Sequence, residues 1–128
     1  MREAVIHKAV ITLPFPISVN RMYAHAGKRR FPSKAFAAWK AEADRQVRIA
    51  RVKPFTGPVD VVIELVPAVK RKRDSDNFRK CILDALVRGG VIPDDNSGIV
   101  KSDALFWRTA GPPCRVTISE AIGEGKAA

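Results

Sequence analysis

Residues 59–66, Val-Asp-Val-Val-Ile-Glu-Leu-Val, lie between Pro58 and Pro67 and alternate in hydropathy. In an extended chain Val59, Val61, Ile63 and Leu65 line one face. Asp60 and Glu64 line the other, with Val62 and Val66 between them. A strand with one continuous apolar face needs a sheet around it and a layer over it.

The neighbouring segments can supply both. Ser33 reads as the N-cap of a helix in which Phe36, Trp39, Ala43, Val47 and Ala50 recur at spacings of three and four. Lys40, Arg45, Arg48 and Arg51 take its opposite face. A second helix is expected over about 77–88, capped by Asp74 or Asp76 and ended by Gly89-Gly90. Phe78, Ile82, Ala85 and Leu86 form its buried face; Asn77, Lys80, Asp84 and Arg88 form a polar stripe. Further strands are expected over 4–13, 99–108 and 114–121. The last two, separated by Gly111-Pro112-Pro113, suit a hairpin. Residues 17–32 read as a long loop.

The order β-α-β-α-β-β gives an α+β (mixed α/β) class, with a small four-stranded mixed sheet and two helices. The middle β-α-β becomes a right-handed crossover if its strands are parallel neighbours. A length of 128 residues suits one domain. We place it at residues 1–122, with 123–128 as a flexible tail.

Charge narrows the function. Lys and Arg number 23 against 13 Asp and Glu, a net +10 at pH 7. Such an excess favours a polyanionic partner, nucleic acid before an anionic membrane. No run of about 18 apolar residues is present, so no membrane partner is expected. Charges interrupt the opening Met1-Arg2-Glu3-Ala4-Val5-Ile6-His7-Lys8, which lacks a signal-peptide core. A cytoplasmic location is expected, with Cys81 and Cys114 as reduced thiols. Two Cys and two His make neither a disulfide framework nor a tetrahedral zinc set. A metal here would take oxygen ligands.

The stretch Arg73-Asp74-Ser75-Asp76-Asn77-Phe78-Arg79-Lys80, followed by Asp84 and Asp94-Asp95, carries the most chemistry. Asp74 and Asp76 can point the same way at a strand-to-helix junction. Two close carboxylates are costly without a cation between them, and Mg²⁺ suits that place. Asp95 could return beside the pair on a short strand. Three carboxylates around a divalent ion, amid basic residues, suit phosphodiester cleavage. Lys80, one turn into the helix, could steady the transition state. Each part also has a plainer reading. Asp76 could be only a cap, Lys80 and Asp84 a surface pair, Asp94-Asp95 a turn, and Lys70-Arg71-Lys72-Arg73 a solvated loop.

The pattern Arg73-Asp74-Ser75-Asp76-Asn77, Lys80, Asp84-Ala85-Leu86, Gly90, Asp94-Asp95 resembles the RusA family of Holliday junction resolvases. The opening Leu13-Pro14-Phe15-Pro16, Ser18, Asn20-Arg21, Tyr23 is similar to that family's first segment. The resemblance implies a RusA-like fold and a Mg²⁺-dependent homodimeric endonuclease, with Mn²⁺ as a substitute ion. It further implies paired symmetric nicks in four-way or branched DNA, often in a phage or prophage setting, and no organic cofactor. By position, Asp74, Asp76 and Asp95 would bind metal and act in catalysis with Lys80. Asp84, Asp94 and Asn77 would stand behind them. Asn20, Arg21, Tyr23, Lys28, Arg29, Arg30 and Lys70, Arg71, Lys72, Arg73 would contact DNA.

Two other readings compete. A catalytically inactive junction-binding protein would keep the basic surface without needing the acids. Other enzymes with an Asp-x-Asp pair, phosphatases or nucleotide-sugar transferases, normally need a larger fold than this chain can build.

Overall fold

In a computed structural model of the chain, residues 6–69 and 76–121 are described, Asp76 by its backbone alone. Their order is β1 (Lys8–Leu13), a 3-10 turn (Val19–Arg21), β2 (Tyr23–Ala26), β3 (Arg29–Pro32), α1 (Lys34–Ala50), β4 (Val59–Leu65), α2 (Asp76–Arg88), β5 (Val100–Trp107) and β6 (Cys114–Glu120). Two helices on a mixed four-stranded sheet, with a separate two-stranded ribbon, form the expected α+β architecture.

Local chemistry explains the boundaries. The Ser33 hydroxyl oxygen accepts the Phe36 N–H at 3.1 Å and donates to the Arg21 carbonyl at 2.7 Å. One side chain thereby starts α1 and ties down the preceding turn. At the other end Arg51 adopts φ 50°, a left-handed cap. The first residue of α2 is Asp76, one earlier than expected, and the residue that caps it lies outside the described residues. Gly89 closes α2 where a Cβ would sit 2.5 Å from Val47 Cγ1, so the helices meet through a residue without a side chain.

The sheet runs β1-β6-β4-β5. β4 and β5 are parallel neighbours, and β6 is antiparallel to both β1 and β4. The hairpin expected from the last two strands is therefore corrected: β5 and β6 flank β4 on opposite sides. Their connection passes across the end of β4 and bonds to it. Arg108 N–H donates to the Leu65 carbonyl at 2.8 Å, and Val66 N–H to that of Pro113 at 3.0 Å. β4 alternates buried and half-buried residues along its whole length, as its sequence pattern requires of a central strand.

The long loop expected over 17–32 is also corrected. It contains the 3-10 turn and the β2-β3 hairpin, closed by Gly27-Lys28 with Gly27 at φ 62°. A left-handed first residue in a two-residue turn matches the twist of the flanking strands.

Both helices cover one face of the sheet. Aligned rows Ile11–Val116–Ile63–Leu105 and Leu13–Cys114–Leu65–Trp107 cross that face. Phe36, Trp39, Ala43 and Val47 of α1, and Phe78, Cys81, Ile82, Ala85 and Leu86 of α2, join the β1, β4 and β6 residues of these rows in one buried cluster, with Leu105 partly buried against it. The indole of Trp39 donates to the Pro14 carbonyl at 3.1 Å. Trp107 is an edge-strand residue, 37% exposed, and meets Phe78 edge-on at 5.8 Å between ring centres. Helices do not cover the opposite face. Its central row is Val10–Thr117–Val62–Ala104, with Val10 54% exposed.

Candidate active site

Helix α2 carries the described part of the motif. Lys80 and Asp84 stand one turn apart, with Lys80 Nζ 3.2 Å from Asp84 Oδ1. The hydrogen bond to Asp84 raises the Lys80 pKa above its ordinary value; the negative charges of Asp84 and then Asp95 add to the effect. Lys80 is thus held as an ammonium and cannot serve as a base at neutral pH. It can donate a proton or offset negative charge.

After α2 the chain turns back at once. Val91 N–H donates to the Leu86 carbonyl, and Phe55 N–H to that of Val91, both at 2.9 Å. A tight turn, as the plainer sequence reading of Asp94-Asp95 has it, then presents the two aspartates with no return strand before them. Their roles separate. Asp94 Oδ1 accepts the Asp95 N–H at 2.7 Å, and Oδ2 accepts the Asn96 side-chain amide at 3.0 Å. The Asp95 N–H foremost holds the Asp94 carboxyl below the usual carboxylate range. Asn96 Oδ1 in turn accepts the N–H groups of Gly98 and Ile99, at 2.8 and 3.2 Å. Asp94 is consumed in shaping the turn. The half-buried side chain of Asp95 lies beside the Asp94 carboxyl and has no ion-pair partner among the described residues.

Asp95 and Asp84 open onto a recess of about 300 Å³ shared with Tyr23, Phe36, Lys40 and Arg88. Three parts of the fold meet there: the ribbon, both helices and the turn. Arg88 Nη2 lies 2.7 Å from Asp44 Oδ1 and Nε bonds both carboxylate oxygens, joining α2 to α1 at the rim. Tyr23 meets Phe36 edge-on at 5.7 Å, and the Arg30 guanidinium lies 4.1 Å over the Tyr23 ring.

The structure therefore brings Lys80, Asp84, Asp95 and Tyr23 together, as the sequence pattern led us to expect. Lys28, Arg29 and Arg30 are exposed on the ribbon, and Asn20 and Arg21 in the 3-10 turn that packs against α2. Asn77 is half-buried in the first turn of α2. Asp74, the side chain of Asp76, and Lys70, Arg71, Lys72, Arg73 lie outside the described residues. Lys40, read from sequence as a surface cation, lines the recess, and Phe36, buried in the core as its helical register requires, forms part of the recess wall. No periodicity in α1 signals this, because the recess forms only when the ribbon and Asp95 arrive. Cys81 and Cys114 are not candidates: burial pushes their thiols up to about 11 and about 12.

Among the described residues no group of three potential metal ligands occurs. The donor chemistry present still fits a hard divalent ion. Two carboxylates, Asp84 and Asp95, line the recess next to α2, Asp95 without an ion-pair partner among the described residues, and Asp76 begins that helix.

Comparison with known proteins assigns the chain to a family. Residues 14–119 match the family model described as endodeoxyribonuclease RusA. The chain is 32% identical over 111 residues to the crossover junction endodeoxyribonuclease RusA of Escherichia coli (strain K12), covering 86% of this chain and 92% of that protein. Identity and coverage are the same for the proteins of that name from Shigella sonnei (strain Ss046) and Enterobacteria phage 82. A match over this extent makes the chain a member of the RusA endodeoxyribonuclease family.

Proposed function

We propose that this protein is a structure-selective endodeoxyribonuclease that resolves four-way DNA junctions by paired symmetric nicks. The observation that carries the reading is the return of Asp95, with its carboxylate unpaired among the described residues, to the Lys80–Asp84 face of the helix that Asp76 begins. Family membership and the names of the relatives support the reaction class and the branched substrate.

Asp74, Asp76 and Asp95 would hold Mg²⁺, with Mn²⁺ as a substitute. A bound Mg²⁺ lowers the pKa of water and offsets charge on the scissile phosphate. The protein's own groups do the rest. Asp84 keeps Lys80 protonated and aims it, so that an ammonium meets the charge that builds on the phosphate oxygens. Asp94 spends both carboxylate oxygens fixing the turn that presents Asp95. Arg21, Lys28, Arg29, Arg30 and the 70–73 run would hold flanking phosphates, reading shape more than bases. Asn20 and Tyr23 support the strand beside the recess, and Asn77 the acids at the start of α2. Two cuts related by symmetry call for two sites, hence a homodimer. The sheet face that the described helices leave uncovered, with Val10 exposed on its edge strand β1, offers an apolar contact for it. Such chemistry belongs in the cytoplasm of a bacterial host, where its DNA lies.

The test uses a labelled synthetic four-way junction and a linear duplex of the same sequence, with Mg²⁺ and with chelator. Paired nicks are expected on the junction alone, and only with Mg²⁺. Asp76→Asn and Asp95→Asn should each lower the cleavage rate at least ~10²-fold, while junction binding in chelator stays within about threefold. Cutting at the wild-type rate by Asp95→Asn would remove the site assignment. Tight junction binding by the wild type without any cut would favour the inactive junction-binding reading.

A further inference from the structure

Two cations, Lys40 and Arg88, line the recess, and Lys80 stands beside it on α2; two of the three are already committed. Arg88 is held by Asp44, and Lys80 by Asp84. Lys40, in the second turn of α1, has no acidic partner among the described residues. Its ammonium instead lies 5.3 Å from the centre of the Phe36 ring. A ring face holds a cation at such a distance without neutralising it. Phe36 meets Tyr23 edge-on, and Tyr23 carries the Arg30 guanidinium on its own face. The result is a row of cation, ring, ring, cation that runs from the recess to the ribbon.

We propose that Lys40 contacts the phosphate backbone of the strand being cut, next to the scissile phosphate, with the Phe36–Tyr23 pair as its mount and Arg30 as the contact at the other end of the row. A DNA strand laid along the row meets a positive charge at each end. Ring edges lie under the sugar between them. Neither cation is ion-paired with a described residue, because rings rather than carboxylates hold both. Lys40 shares the recess with Asp95 and Asp84, so a phosphate that it holds is a phosphate at the acids. The inference deepens the proposed function and rests on it for the identity of the polyanion.

The experiment measures binding of an uncut four-way junction in chelator across a range of salt, for the wild type, Lys40→Ala, Lys40→Arg and Lys40→Ala/Arg30→Ala. Loss of one phosphate contact should reduce the slope of log affinity against log salt by about one for Lys40→Ala and about two for the double variant. Affinity for Lys40→Ala should fall about five- to tenfold at ~0.1 M salt, and Lys40→Arg should restore both quantities. With Mg²⁺ and sub-saturating enzyme, Lys40→Ala should lower the cleavage rate about as much as it lowers affinity, and Lys40→Arg should restore it. A wild-type slope and affinity in Lys40→Ala would overturn the inference while leaving the nuclease reading intact. A wild type that binds but never cuts would remove the nuclease reading and leave the slope comparison to decide Lys40. A wild type that binds no junction would remove both.

Discussion

Lys80 keeps its proton because Asp84 accepts a hydrogen bond from it and Asp95 adds negative charge nearby. Its affinity for the proton is raised in the folded state. The stability it contributes is therefore complete below the unfolded-state value and fades as pH rises through the folded one. More than half of its side chain is exposed, which keeps that contribution small. The consequence for activity is larger. Between neutrality and about pH 9.5, junction cleavage should lose nothing through deprotonation of Lys80. Lys80→Met should lower the rate at saturation about 10²-fold with little change in junction affinity. A pH–rate profile with an alkaline limb near pH 8 that Lys80→Met abolishes would contradict this role. At the same scale the two aspartates of the turn show what a sequence cannot rank. Asp94 and Asp95 are chemically identical neighbours, and only the direction of each side chain makes one a turn builder and the other an unpaired carboxylate.

At the scale of elements, patterns that bury a face were legible and those that do not were hidden. α1, β4 and α2 announce themselves because their apolar residues recur at helical or strand spacing and do pack into one core. The β2-β3 ribbon buries no residue, so hydropathy carries no trace of it. Only the two-residue turn with Gly27 at its first position could have revealed it. The Gly-Pro-Pro turn misled for a related reason. A short connection suggests adjacent strands, but this one spans the end of β4 and is bonded to it. The contact of α1 with α2 allows a quantitative test. Val47 is β-branched and Gly89 leaves no space, so Gly89→Ala should destabilise the protein by about 1–3 kcal/mol in urea unfolding. Val47→Ala in the same background should recover part of the loss through a favourable coupling. A Gly89→Ala variant as stable as the wild type would show that the two helices can separate freely.

For the molecule as a whole, the candidate site is a meeting of distant parts. Tyr23, Lys40, Lys80 and Asp95 come from four segments, and none has its function alone. The sequence marked the acids because they cluster within about 25 residues of one another. Lys40 escaped because its partners lie elsewhere in the chain. The same dispersal governs assembly of the sheet. Among the described strands β1 is bonded to β6 alone, and β6 also fills one edge of β4. A fragment ending at residue 113 should therefore show no cooperative unfolding and a collapsed amide dispersion in NMR. A stably folded fragment of that length would mean that β1 has found another partner.

The place of β6 between β1 and β4 also sets the order of events on the ribosome. Residues 8–13 emerge early, with an apolar face and no strand to bond. They must wait until residue 120 has been made and released before the sheet can close. For most of translation the nascent chain can form helices but not its core, so the domain closes in one late step rather than piece by piece.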